Sequence, residues 1–179
     1  VQVGNGAHTD WCRDRRTEDQ LDVSALSGVV EVRPADQIAV VRAGTRLEEL
    51  RSVLAEFGLG IPDDGGSPEA TVGGRVAMNL PHERLGQTGS WRDWVIGLQA
   101  VLADGTIFRS GSKVVKSVAG FDLHRMLVGS RGSLAVLTEV TLRVRPLASI
   151  PAAAIRPLPG SASSAMTVEN LHGVRPTDL

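Results

Sequence analysis

KVVKSVAGFDLHRMLVGSRGSLAVLTEVTLRV, residues 113–144, is the stretch from which the rest of the chain can be read. Asp122 is placed to cap a short helix in which Leu123, Met126 and Leu127 share one face. Gly129 stops that helix, and Gly129 to Gly132 (G-S-R-G) make a tight turn suited to small residues. Beyond it Val140, Leu142 and Val144 alternate with Thr141, Arg143 and Arg145, the period of a half-buried strand that Pro146 should end. Taken alone, this is an ordinary helix–turn–strand core unit. Its neighbours add to it.

Working outward, Trp94 to Leu102 reads as a mainly apolar strand. Asp104-Gly105 is a hairpin signal, and Thr106 to Arg109 is the return strand. With residues 134–145 this predicts a largely antiparallel sheet. Val29–Arg33 and Ile38–Arg42 read as two more strands, joined through Pro34-Ala35-Asp36. Thr45 and Glu48 have the spacing of a capping box. The helix they predict carries a buried stripe of Leu47, Leu50, Leu54 and Phe57 and is closed by Gly58. Gly73-Gly74 before Val76-Ala77 predicts a glycine turn entering a short helix, whose bare N–H groups could hold a phosphate. Gly4-Asn5-Gly6-Ala7-His8-Thr9 is a small-residue loop able to converge amides on an anion. No G-x-G-x-x-G follows a buried strand and no G-K-[ST] occurs, so dinucleotide-fold and P-loop readings fail on their own motifs.

A chain of 179 residues fits one domain or two small subdomains sharing a core, and 42% hydrophobic residues suffice to build it. With 19 basic against 20 acidic residues, no general attraction to nucleic acid or anionic membrane is expected. No apolar run has membrane-spanning length and no signal peptide is visible. Cys12 stands alone, so an internal disulfide and a cysteine metal site are excluded, and a reducing cytoplasm is the default compartment. Residues 1–3 read as a strand already entering the glycine loop, so a segment before Val1 is expected. After Pro146 alanine, serine and proline dominate to Leu179, which reads as a linker or tail.

Four segments stand in a characteristic order: G-N-G-A-H-T (4–9), P-D-D-G-G-S-P-E-A-T-V-G-G-R-V-A-M-N (62–79), G-S-W-R-D-W-V-I-G (89–97) and K-S-V-A-G-F-D-L-H-R-M-L-V-G-S-R-G-S-L-A-V-L-T-E-V (116–140). Together they resemble the FAD-binding domain of the vanillyl-alcohol oxidase and p-cresol methylhydroxylase family, called PCMH-type. The last segment looks most like the FAD-binding E subunit of bacterial glycolate oxidase. The resemblance covers about residues 1–146 and implies an α+β fold of two subdomains with FAD between them. The division expected is 1–60 for a first subdomain truncated at its start, 61–147 for a second, and 148–179 for a linker or tail.

Residue by residue, the resemblance implies that Asn5, Gly6, Ala7, His8 and Thr9 form the first pyrophosphate loop. Pro62 and Asp63 fall near the flavin ring, and Thr71, Val72, Gly73, Gly74 and Asn79 in the second phosphate and flavin segment. Gly89, Ser90 and Asp93 make a third contact, and Gly132, Ala135 and Val136 lie where a strand backbone meets the cofactor. The family more often has three consecutive glycines where this chain has Gly4-Asn5-Gly6-Ala7. His8 sits where some relatives attach FAD covalently, but the closer resemblance implies non-covalent FAD.

Lys116, Asp122 and Arg131 read as structural, Trp91 and Trp94 as core or rim, and Cys12 as unreactive. His82, His124 and His172 lack metal-site spacing with one another. No catalytic base or carboxylate-binding arginine pair is identifiable. The resemblance implies an FAD-dependent oxidoreductase subunit acting on a 2-hydroxy acid, and that absence points to partner subunits for full turnover. Its partners would be a second flavoprotein subunit and an iron–sulfur subunit, in the cytoplasm and peripheral to the inner membrane through those partners. A non-catalytic FAD-holding assembly subunit is the alternative. An NADPH-dependent enolpyruvyl reductase of the same fold ranks last, since its serine and glutamate are not identifiable.

Overall fold

The computed structural model describes residues 2–3, 21–61, 67, 69–81, 85–111 and 122–150. Two short strands, β1 (Gln2–Val3) and β2 (Leu21–Asp22), pair in parallel. The main sheet is built from β3 (Val29–Arg33), β4 (Ile38–Arg42), β6 (Val95–Val101), β7 (Ile107–Gly111) and β8 (Val136–Arg143), in the order β3-β4-β8-β6-β7 with every neighbour antiparallel. The β3–β4 and β6–β7 hairpins follow from local chemistry. Gln37 donates its N–H to the Pro34 carbonyl at 3.2 Å. The Asp104 carboxylate accepts the Thr106 N–H at 2.9 Å while Gly105 supplies a φ of +85°. That bond also holds the Asp104 carboxyl below the usual carboxylate range.

The division expected at residue 60 passes through this sheet. β3 and β4 precede it and β6, β7 and β8 follow it, yet all five strands share one hydrogen-bonded ladder and one core. The reason is β8, which lies between β4 and β6 and pairs with both. Among the described residues, two short two-stranded pairs stand outside this ladder: β1–β2, and a second pair formed by residues 59–60 and 145–146.

Helix α1 (Leu47–Glu56) packs Leu47, Leu50 and Leu54 into the core, each fully buried. Phe57, expected to join that stripe, is 49% exposed because the helix has ended at Glu56 and Gly58 turns the chain with a φ of +66°. Strand β5 (Leu59–Gly60) then pairs with β9 (Arg145–Pro146). Pro146 therefore lies inside a two-residue strand, and β8 ends earlier, at Arg143. The remaining helices are α2 (Val72–Met78), α3 (Leu85–Thr88), α4 (Trp91–Trp94) and α5 (Leu123–Leu127), with a 3-10 turn at Leu147–Ser149. No helix among the described residues is long and apolar enough to cross a membrane.

Two expected caps do not form. Arg46, not Thr45, is the residue before α1, and it makes no side-chain cap. Arg46 instead bridges Thr71, with Leu47 N–H on the Ala70 carbonyl and Val72 N–H on the Thr45 carbonyl, both 2.9 Å. This shifts the helix start and frees the Thr45 hydroxyl, which accepts the Gly28 N–H at 2.8 Å and donates to the Gly28 carbonyl at 3.2 Å. In α5, Asp122 makes no side-chain cap and its carboxylate lies 3.5 Å from Arg125 Nε. The face of α5 also differs from expectation: Leu123 and Met126 are exposed, while His124 and Leu127 are buried. His124 is drawn inward by its N–H bond to Ser110 Oγ at 3.0 Å. Burial holds its imidazole below the ordinary range, opposed by the Asp122 carboxylate and assisted by the Arg125 cation.

Thr45→Ala should cost about 1–2 kcal/mol in urea unfolding, because it strands the Gly28 N–H, while the Gly28 carbonyl keeps the Arg42 N–H at 3.1 Å. Glu48→Ala should cost less than about 0.5 kcal/mol, the usual range for an exposed surface site. Equal costs for the two variants would mean that the capping box forms after all.

Candidate functional site

The helix predicted around Gly73-Gly74 exists as α2, and Thr71 caps it by accepting the Gly74 N–H on Oγ1 at 3.1 Å. Its first amides are not bare, however. Val72 N–H reaches the Thr45 carbonyl at 2.9 Å and Gly73 N–H the Ala43 carbonyl at 2.7 Å. A Cβ on Gly73 would lie 2.8 Å from Ala43 Cβ and 2.9 Å from the Ala43 oxygen. Gly73 is thus required for close packing of α2 on the chain leaving β4. The amides of residues 72–74 are already bonded to protein, which corrects the expectation that they wait for a phosphate.

The other end of α2 brings together two segments far apart in sequence. Asn79 ends the helix in a left-handed conformation (φ 43°, ψ 47°) with its N–H on the Arg75 carbonyl at 2.8 Å. The next two carbonyls are met from the 129–132 turn: Gly129 N–H donates to Val76 at 3.0 Å and Arg131 N–H to Ala77 at 2.9 Å. A Cβ on Gly129 would sit 3.6 Å from the Asn79 Cβ. Gly129, Arg131 and Gly132 all have positive φ, at 84°, 55° and 74°. The turn therefore contains one left-handed residue that is not small, at a cost of roughly 1–2 kcal/mol. Ala135 is buried behind the turn, and Val136 opens β8 opposite Val101. Asn79 Oδ1 is buried in this neighbourhood with no hydrogen-bond partner among the described residues.

Gly89, Ser90 and Asp93 form a compact unit at α4, which packs against α2. Gly89 has a φ of +79°, and the Asp93 carboxylate accepts both Ser90 N–H at 2.8 Å and Ser90 Oγ–H at 3.0 Å. Trp91 and Trp94 are core residues, and Trp94 Nε1 donates to the Thr88 carbonyl at 2.6 Å. Asn5, Gly6, Ala7, His8, Thr9, Cys12, Pro62, Asp63, His82, Lys116 and His172 lie outside the described residues. Among the described residues no cluster of His, Cys, Asp and Glu could hold a metal ion. The roles of Ala43 and Thr45 as acceptors for α2 carried no local signal, because a backbone carbonyl has no residue identity to read.

Gly73→Ala should destabilise the folded protein by about 1–3 kcal/mol through overpacking against Ala43. Gly74→Ala, whose added Cβ meets Thr71 Oγ1 alone at 3.0 Å, should cost less. Thermal unfolding of the two variants without ligand checks this. Equal stability of Gly73→Ala and the parent would contradict the packing role.

The FAD binding domain family matches residues 3–111, which span the first glycine loop, α2 and α4. The D-lactate dehydrogenase of Archaeoglobus fulgidus is 40% identical over 117 residues, 65% of this chain and 26% of that protein. The glycolate oxidase subunit GlcE of Escherichia coli is 39% identical over 138 residues, 75% of this chain and 39% of that protein. The D-2-hydroxyglutarate dehydrogenase of Xanthomonas citri pv. viticola is 30% identical over 125 residues, 69% of this chain and 26% of that protein. The chain thus matches 26% to 39% of the length of these relatives. Since the family match covers more than half of its 179 residues, the chain belongs to the FAD binding domain family.

Proposed function

We propose that the chain is the FAD-holding part of an oxidoreductase that acts on a 2-hydroxy acid, and within that class a subunit of the glycolate oxidase type. Lactate, glycolate and 2-hydroxyglutarate, the acids in the relatives' names, share one reacting group: a carboxylate with a hydroxyl on the adjacent carbon. The observation that carries the reading is the junction of α2 with the 129–132 turn, beside which Asn79 Oδ1 is buried and unbonded. An unpaired buried acceptor costs about 1–3 kcal/mol. An imide N–H, such as that on the flavin ring, would offset the cost; with the amide turned over, Asn79 would donate to a ring carbonyl instead. The residues present therefore fit FAD.

In this proposal Asn79 orients the ring edge, and the backbone of Gly132, Ala135 and Val136 lies along the cofactor. Thr71, Val72, Gly73 and Gly74 act chiefly by fixing α2, since their N–H bonds run to protein. Gly89, Ser90 and Asp93 hold the α4 wall. Asn5, Gly6, Ala7, His8 and Thr9 supply amides to the diphosphate, and Pro62 and Asp63 flank the ring. Bound FAD supplies the hydride-accepting chemistry, and the protein supplies binding, orientation and exclusion of water. FAD is held non-covalently, His8 carries no bond to it, and a second flavoprotein subunit and an iron–sulfur subunit complete the assembly.

The purified protein should carry a flavin absorbance band, and acid precipitation should release all of it to the supernatant. Anaerobic glycolate or D-lactate should bleach the band. Bound FAD that neither acid reduces would favour the assembly-subunit reading. Flavin that stays with the precipitated chain, and is lost in His8→Ala, would place the protein among covalent flavoproteins.

A further inference from the structure

Arg131 stands out in the turn that meets α2. Its neighbours with positive φ there, Gly129 and Gly132, adopt that conformation without a side-chain penalty, whereas Arg131 holds a long charged side chain at φ 55°. A glycine at 131 would satisfy the backbone equally well, so the turn geometry does not explain the arginine. Nor does an ion pair. Among the described residues, Arg125 faces Asp122, Arg109 donates to Gln99, and Arg145 lies over the Trp94 ring at 5.3 Å. The exposed Arg131 is bonded to the rest of the chain through its main-chain N–H on Ala77, and its guanidinium has no carboxylate partner among the described residues. The same turn borders Asn79, whose Oδ1 is also unbonded. An exposed cation with no carboxylate partner and a buried acceptor with no hydrogen-bond partner among the described residues thus flank one turn.

We propose that Arg131 is an anion anchor of this site, its guanidinium meeting either a phosphate of FAD or the carboxylate of the 2-hydroxy acid. The proposal rests on the flavin reading of the site. A planar guanidinium suits both anions, since each offers two oxygens to parallel N–H donors. The competing role is structural: a cation near the carboxyl end of α2 also favours the helix dipole. The two roles separate experimentally, because a dipole partner changes stability and an anchor changes ligand affinity.

Arg131→Gly, Arg131→Gln and Arg131→Lys should be compared with the parent protein. Glycine removes both charge and strain, glutamine removes charge alone, and lysine keeps charge. FAD affinity is read from flavin fluorescence on the apoprotein. Carboxylate affinity is read from the flavin absorbance change when oxalate, which is not oxidised at this site, is added to FAD-saturated protein. Arg131→Gly should melt about 2–4 °C higher, while it and Arg131→Gln each lose at least about tenfold in affinity for one ligand and Arg131→Lys recovers most of it. A loss confined to FAD assigns the phosphate, and a loss confined to oxalate assigns the carboxylate. Affinities for both ligands within about twofold of the parent in all three variants would overturn the proposal. Failure of the parent protein to bind FAD appears before any variant is compared and would sink the flavin reading, and the anchor with it.

Discussion

Helix α2 can lie against the end of β4 only because residue 73 has no side chain. The Gly73 N–H reaches the Ala43 carbonyl at 2.7 Å, and a Cβ would stand inside the Ala43 contact distance. With that approach fixed, Val72 N–H meets the Thr45 carbonyl and the helix axis is set relative to the five-stranded sheet. The far end of the helix then falls where the 129–132 turn can close it. Asn79 and Val136, distant in sequence, become neighbours of one turn as a result.

A seven-residue helix has too few internal bonds to persist alone, so α2 owes its existence to tertiary contacts at both ends. Thr71 Oγ1 and the Thr45 and Ala43 carbonyls answer its first amides. Its last carbonyls are answered by the amides of Asn79, Gly129 and Arg131. The site is therefore not a set of loose amides assembled by a ligand. It is a closed backbone frame with a side-chain oxygen, Asn79 Oδ1, left over. Such a frame fits a cofactor that is bound and oriented by a prebuilt surface, with the redox chemistry residing in the cofactor.

How much of this was legible depends on the range over which each signal acts. Short runs rich in valine and isoleucine, joined through Pro34-Ala35-Asp36, define β3 and β4, and Asp104-Gly105 defines the β6–β7 hairpin, because β-propensity and turn chemistry are local. The stripe of Leu47, Leu50 and Leu54 was equally plain. The Thr45-x-x-Glu48 spacing misled because the Arg46–Thr71 bridge, a long-range contact, delays the helix start and turns Thr45 toward Gly28. The face of α5 misled because five residues carry too little periodicity to outweigh one bond from His124 to Ser110. The two glycines of α2 marked the right segment, but a glycine needed for packing and a glycine needed for a ligand look the same in a sequence. Asn79 was read from a family pattern, and its unbonded oxygen became visible only once the 129–132 turn was placed beside it.

Residue-resolved amide exchange with and without FAD tests the frame most directly. The account predicts that the amides of Gly73, Gly129 and Arg131 are protected already in the apoprotein and change little when FAD binds, because their partners are Ala43, Val76 and Ala77. Fast exchange of these three amides in the apoprotein, with protection appearing only on FAD addition, would show that they donate to the cofactor and would contradict the account.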